Sequence, residues 1–351
     1  MPKHRTRVRG PIFELTLARV REFVREPSAL FWTFGFPILI TVALGVAFRN
    51  QGPKQIRVGV VQGPGAAAVA QALAATHRLA PEQVTPDQAN QGLRAGTLAL
   101  VVVPGPGGAL GFRFDPTRPE SFATRMVAND ALQRAAGRSD PRPARDETLH
   151  APGARYIDWL VPGLLGMQLM SGSLWSIAFT IVQTRQRKLL KRLGATPMRR
   201  GHYLLSFVLS RLLALIVEVP LLLGFAYVAF GVQIRGSLGA VAALSVLGSL
   251  SFSGLGLLCA SRAQNSETAN GLVNLATLPM FVLSGVFFSA QRFPAVIQPV
   301  IRALPLTALN EALRAVVNDG QSLAHLPLQL AVMAVWGAAT FAAALGLFRW
   351  S

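Results

Sequence analysis

Cysteine, acidic residues and nucleotide-binding motifs are what this sequence has least of. A single cysteine, Cys259, excludes a disulfide framework. Only 14% of the 351 residues are charged, where an ordinary soluble chain carries about a quarter. Asp and Glu together number 16 against 34 Lys and Arg. No G-x-x-x-x-G-K-[ST] loop is present to cradle a nucleotide phosphate, and neither H-E-x-x-H nor G-x-S-x-G occurs. The five histidines, His4, His77, His150, His202 and His325, are scattered, so no metal site is expected. These absences exclude a soluble enzyme, a disordered chain and a disulfide scaffold.

What the chain does have is apolar residues, 51% of the total, gathered in blocks rather than spread as helical stripes. Residues 28–48, 156–183, 203–231, 238–261, 269–289 and 326–348 each meet the length of roughly 20 residues needed to cross a bilayer core. The expected fold is therefore an all-α polytopic membrane protein of six transmembrane helices, with a small external α/β domain inserted between helices 1 and 2. The first apolar run is too long for a cleaved signal peptide and Gly45-Val46-Ala47 is a poor cleavage site, so it reads as retained.

The net charge of +18 is explained by where the basic residues fall, which removes the need for a nucleic-acid partner. Lys3, Arg5, Arg7, Arg9, Arg19, Arg21 and Arg25 precede the first span, and Arg185, Arg187, Lys188, Lys191, Arg192, Arg199 and Arg200 cluster between the second and third. The loops on the opposite side hold few. By the positive-inside rule both termini are cytoplasmic, and the arginine- and alanine-rich composition points to a bacterial inner membrane.

Residues 1–27 form a cytoplasmic N-terminus in which Phe13, Leu17, Val20 and Val24 follow helical spacing, with Glu14, Arg19, Arg21, Glu22 and Arg25 on other faces. That pattern predicts an amphipathic helix at the membrane interface, in contact with lipid. Residues 49–155 change composition and read as an external domain. The pattern predicts strands at 56–61, 98–103 and 109–114, and helices at 66–77, 86–96 and 121–136, the last turning Phe122, Met126 and Leu132 inward; a proline-rich linker over 138–153 follows. Residues 184–202 predict a short basic helix ended by Gly194, with Thr196 and Pro197 opening the next one. Such a basic cytoplasmic knuckle suits a protein partner or anionic lipid headgroups. Residues 290–325, broken by Pro294, Pro299 and Pro305, cannot cross as one helix and predict two short external re-entrant helices.

Few ionisable residues lie inside the spans. Glu218 is the deepest, and it reads either as an intramembrane ion or proton site or as a structural carboxylate paired with Arg211 on the same helix face.

Three stretches resemble a known family. They are residues 25–37, from Arg25 to Pro37; Lys191-Arg192-Leu193-Gly194-Ala195-Thr196-Pro197; and the run from Leu283-Ser284-Gly285-Val286-Phe287-Phe288 through Leu304-Pro305-Leu306-Thr307 to Glu311-Ala312-Leu313-Arg314. With the external domain after the first span, they make the chain similar to the permease subunits of ABC-2 type ATP-binding-cassette exporters. The resemblance implies a translocation path for an amphipathic or hydrophobic substrate, driven by a separate ATPase subunit. It implies no cofactor in this chain, with ATP and Mg bound by that partner, and a permease homodimer or heterodimer. Arg187, Lys188, Lys191, Arg192, Thr196 and Pro197 would form the ATPase-coupling element. Ser171, Gly172, Ser173, Asn274, Ser284 and Gly285 would line the pathway or the dimer interface, and a periplasmic adaptor could meet the external domain. The rival readings are an ion-coupled secondary transporter using Glu218 and a membrane-anchored sensor or assembly factor.

Overall fold

A computed structural model describes residues 11–47, 55–139, 155–188 and 200–347. The chain separates into two compact units, one containing residues 50–149 and the other the remainder.

The inserted unit is a four-stranded sheet in the order β2-β1-β3-β4, built from β1 (Ile56–Val61), β2 (Leu79–Val84), β3 (Leu100–Pro104) and β4 (Leu110–Arg113). β1 runs parallel to β2 and β3, and β4 is antiparallel to β3. The inner strands are nearly continuous runs of Val, Ile and Leu because both sheet faces are covered. Val58, Val60, Leu100 and Val102 pack against Leu73 of α4 (Ala66–Ala74) and Ala128 and Leu132 of α6 (Pro119–Ala135). Val61, Val84 and Val101 pack on the other face with Ala89 of α5 (Pro86–Ala95). Thr85 and Gln88 close a capping box at the start of α5, with Pro86 at the first position, and Gly96 ends the helix at φ 71°. The sequence pattern omits one strand and misplaces one helix face. Strand β2 contains Pro81 and Glu82, tolerated because it is an edge strand. In α6 the inward face is Ser121, Thr124, Ala128 and Leu132, while Phe122 and Met126 are half exposed.

The second unit opens with α1 (Pro11–Arg25) and α2 (Pro27–Leu30), followed by a single π turn over Phe31–Gly35 and by α3 (Phe36–Ala47). Its long helices are α7 (Tyr156–Gln186), α8 (Arg200–Phe230), α9 (Leu238–Arg262) and α13 (Pro327–Leu347). Among the described residues these four are long and apolar enough to cross a membrane; residues 31–47 form a shorter apolar helix. The fifth apolar run becomes α10 (Ser266–Leu283), which stops before the expected end because Ser284 and Gly285, at φ 70°, turn the chain out of the helix. The region expected to be re-entrant holds α11 (Gln298–Ala303) and α12 (Pro305–Val317), and α12 is almost wholly buried.

α7 is the central post. Nearly every side chain between Ile157 and Met170 is buried, and it packs against α3, α8, α9, α10 and α12. Apolar solvent provides no hydrophobic drive between helices, so close approach comes from small residues. Gly256 of α9 lies where a Cβ would meet the Leu174 backbone at 3.1 Å, and Gly337 of α13 faces the Ser251 backbone.

Prolines inside the helices leave carbonyls without their usual amide donor, and in two cases a side-chain amide from a distant segment replaces it. Pro37 frees the carbonyl of Thr33, which accepts from Gln168 Nε2 at 2.9 Å. Pro162 frees the carbonyl of Asp158, which accepts from Asn318 Nδ2 at 3.0 Å. Each bond ties α7 to another segment.

Candidate functional site

The expected coupling element begins where α7 ends. Arg187 and Lys188 are exposed there, and Lys188 takes a left-handed backbone, φ 55°, that turns the chain away from the helix axis. Lys191, Arg192, Thr196 and Pro197 lie outside the described residues. Arg185, one half-turn earlier, plays a part that charge counting along the chain did not separate from its neighbours. Its guanidinium donates to the carbonyls of Ala260, at 3.0 Å, Ser261 and Ala263. A cation on the unpaired carbonyls at the C-terminus of α9 is favoured by both hydrogen bonding and the helix dipole. It fixes the end of α7 to the end of α9, directly before the basic knuckle.

α1 packs along the start of α8. Arg19, expected on the polar face of α1, instead turns inward: its guanidinium lies 3.6 Å over the Phe207 ring and 5.3 Å from the Tyr203 centroid. Desolvation lowers its pKa below the usual guanidinium value, partly offset by Tyr203 and Glu22. Amphipathic spacing does not reveal this, because a cation–π contact leaves no mark on periodicity.

Deeper in the bundle, the small-residue run of α7 receives the charged residues of α8. Arg211 Nη1 lies 2.7 Å from Glu218 Oε2, the two side chains being only 6% and 2% exposed. Arg211 Nε donates to Ser173 Oγ at 3.0 Å, and Ser173 shares a 2.9 Å hydrogen bond with Ser249 of α9. Gly172 makes room for this arrangement, since a Cβ there would sit 2.7 Å from Arg211 Nη2. Ser171 is half-buried beside them. Gly172 and Ser173 thus meet Arg211, the partner of Glu218, while Asn274 pairs within its own helix. Asn274 is half-buried on α10, and its Nδ2 donates to Asn270 Oδ1 at 2.9 Å.

Ser284 and Gly285 stand at the other end of α10 in a buried polar knot. Asn310 Nδ2 donates to the Ser284 carbonyl at 3.0 Å, and Arg314 Nη2 donates to the Gly285 carbonyl at 2.5 Å. Arg314 also donates to the Trp159 carbonyl at 3.2 Å and stacks 3.6 Å over the Trp159 ring. Gly163 and Gly166 of α7 clear the space for Arg314 and Asn310. Nearby, Arg155 holds Asp158 through bonds of 2.9 and 2.8 Å and reaches the Phe230 carbonyl at 3.0 Å, closing the end of α8. The hydrogen bonds to Asp158 raise the Arg155 pKa. No group of His, Cys, Asp and Glu suited to a metal occurs among the described residues.

The family described as ABC-2 family transporter protein matches residues 27–345. Among curated relatives, the ABC transporter G family member 20 of Dictyostelium discoideum is 26% identical over 186 residues, 52% of this chain and 25% of its own length. The probable multidrug ABC transporter permease YbhS of Escherichia coli (strain K12) is 26% identical over 205 residues, 56% of this chain and 51% of its own length. The chain therefore spans between a quarter and about half the length of these curated relatives.

Proposed function

The chain belongs to the ABC-2 transporter family as a multi-pass membrane protein, and from that premise we propose that it is the membrane-spanning permease subunit of an exporter driven by a separate ATPase. The observation that carries this reading is that the match runs through every long apolar helix while the sequence holds no nucleotide-phosphate loop. The permease named for multidrug transport in Escherichia coli favours an amphipathic or hydrophobic substrate.

Six spans complete the proposed topology, with α3 and α10 joining the four longer helices. Both termini lie in the cytoplasm of a bacterial inner membrane, and the inserted αβ unit lies outside, available to a periplasmic adaptor. Two copies, or one copy and a sister permease, combine with two ATPases that bind ATP and Mg. α10 supports a role at the pathway or dimer interface: Leu275, Leu278 and Val282 are more than half exposed, and the Asn270–Asn274 pair adds a polar step.

In this mechanism the permease contributes two conformations of different affinity rather than chemistry. Closure of the ATPase dimer moves the basic knuckles, and the Arg185 clamp passes that motion into the paired ends of α7 and α9. The test is to purify the tagged chain in mild detergent, identify what co-purifies and assay ATP hydrolysis. A stoichiometric ATPase that is lost on charge reversal at Lys191 and Arg192, with the permease still folded, is the expected result. A pure permease that transports without ATP would overturn the reading in favour of an ion-driven one.

A further inference from the structure

A cavity of about 220 Å³ opens between α1, the end of α7 and the start of α8. Leu15, Ala18, Arg19 and Glu22 form one wall; Thr180, Gln183, Thr184 and Arg187 form the second, and Tyr203 closes it. Its donors are few and distinct. Thr180 and Thr184 give their hydroxyl protons to the carbonyls of Ser176 and Thr180, each at 2.7 Å, which leaves the two guanidinium groups, the Gln183 amide and the Tyr203 hydroxyl as the donors of the lining. Arg19 Nε is buried and has no hydrogen-bond partner among the described residues. The one acid, Glu22, lies 3.8 Å from Arg19 and is itself 57% exposed, so it can swing outward as an anion enters. Two cations face one displaceable carboxylate, beside the aliphatic Leu15 and Ala18 and an aromatic ring.

We propose that this cavity holds the phosphate headgroup of an inner-leaflet phospholipid, with Arg19 and Arg187 as its anion ligands. Guanidinium groups suit a phosphate because they offer paired donors to its oxygens. A lipid fits better than a soluble phosphate because the cavity lies beneath an amphipathic helix whose Phe13 and Val24 are half exposed, and its apolar wall suits a glycerol ester. The occupied cavity would join α1 to the last turn of α7, immediately before the coupling knuckle. The proposal takes from the proposed function only the leaflet. Binding is read without ATP or substrate, so failure of one leaves the other standing.

The full-length chain, with its co-purifying partners, is delipidated in detergent and titrated with short-chain phosphatidylglycerol, followed by native mass spectrometry. One phospholipid per chain is expected to persist after the others are stripped. Arg187→Gln should weaken that binding at least tenfold, and so should Leu15→Trp, which fills the cavity and keeps both charges. Arg187 is exposed, so its variant should fold and carries the decision; Arg19→Gln, which removes the packing on Phe207, is supporting only if its melting is unchanged. Equal lipid retention by wild type, Arg187→Gln and Leu15→Trp overturns the site. Inorganic phosphate that saturates the site as tightly as the lipid overturns the lipid as occupant.

Discussion

Replacing Glu218 with Gln should destabilise the protein severely, and replacing its partner at the same time should restore most of the loss. At 2.7 Å the Arg211–Glu218 pair has a direct attraction of about 6 kcal/mol at an effective dielectric constant of ~20. Burial opposes this, because each ion taken from water costs several kcal/mol. The pair as a unit is therefore close to neutral in stability. A single substitution is not, since it leaves one charge buried with no opposite charge, and about 3–5 kcal/mol is the expected loss. Glu218→Gln and Arg211→Met should each lie in this range. Arg211→Met will be slightly worse, because Ser173 loses its donor as well. The double variant Arg211→Met with Glu218→Leu should recover to within about 1–2 kcal/mol of wild type. Melting of wild type, both single variants and the double variant in nanodiscs, with transport measured on the same samples, tests the pairing. A Glu218→Gln protein that melts like wild type and has lost transport would refute the pairing and make Glu218 an ion site.

Gln168→Leu strands the Thr33 carbonyl that Pro37 leaves open, and Asn318→Leu does the same to Asp158; each should lower stability by about 1–2 kcal/mol, read as a lower melting temperature. Gly256→Ala places a methyl group against the Leu174 backbone and should cost about 1–3 kcal/mol by forcing α7 and α9 apart; an unchanged melting curve would show that this contact is looser than described. Arg185→Gln releases the C-terminal carbonyls of α9, and the expected outcome is partial uncoupling of ATP hydrolysis from transport with the ATPase still bound. In the inserted unit, the Thr117 hydroxyl and backbone amide donate to Asp115 and hold its carboxyl below the usual pKa. A depressed carboxyl stabilises above its unfolded pKa of about 3.9 and stops doing so as pH falls through its folded value. The difference in melting between wild type and Asp115→Ala should therefore be present at neutral pH and vanish in strong acid.

The sequence by itself determined the features that depend on neighbours along the chain. Apolar runs placed the long helices because a span must be continuous, and the helix expected over residues 86–96 is α5, whose capping box joins residues three apart. Gly285 likewise bears on local backbone, though the turn it allows came earlier than the apolar run suggested. The pairing of Arg211 with Glu218 was one of two readings because both lie on one face of one helix. Tertiary structure alone decided the rest. Arg185 and Arg187 are equivalent in a charge count, yet one clamps the carbonyls of α9 and the other stands exposed at the mouth of the cavity between α1, α7 and α8. Gln168 is an isolated amide in an apolar run until Thr33 is brought to it across 135 positions. Phe122 and Met126 satisfied the helical period of α6, but the sheet received its small residues instead. The physical reason is common to all three. Helical period and composition record which face is apolar, whereas the partner of a polar or packing group is set by which elements the folded chain brings beside it.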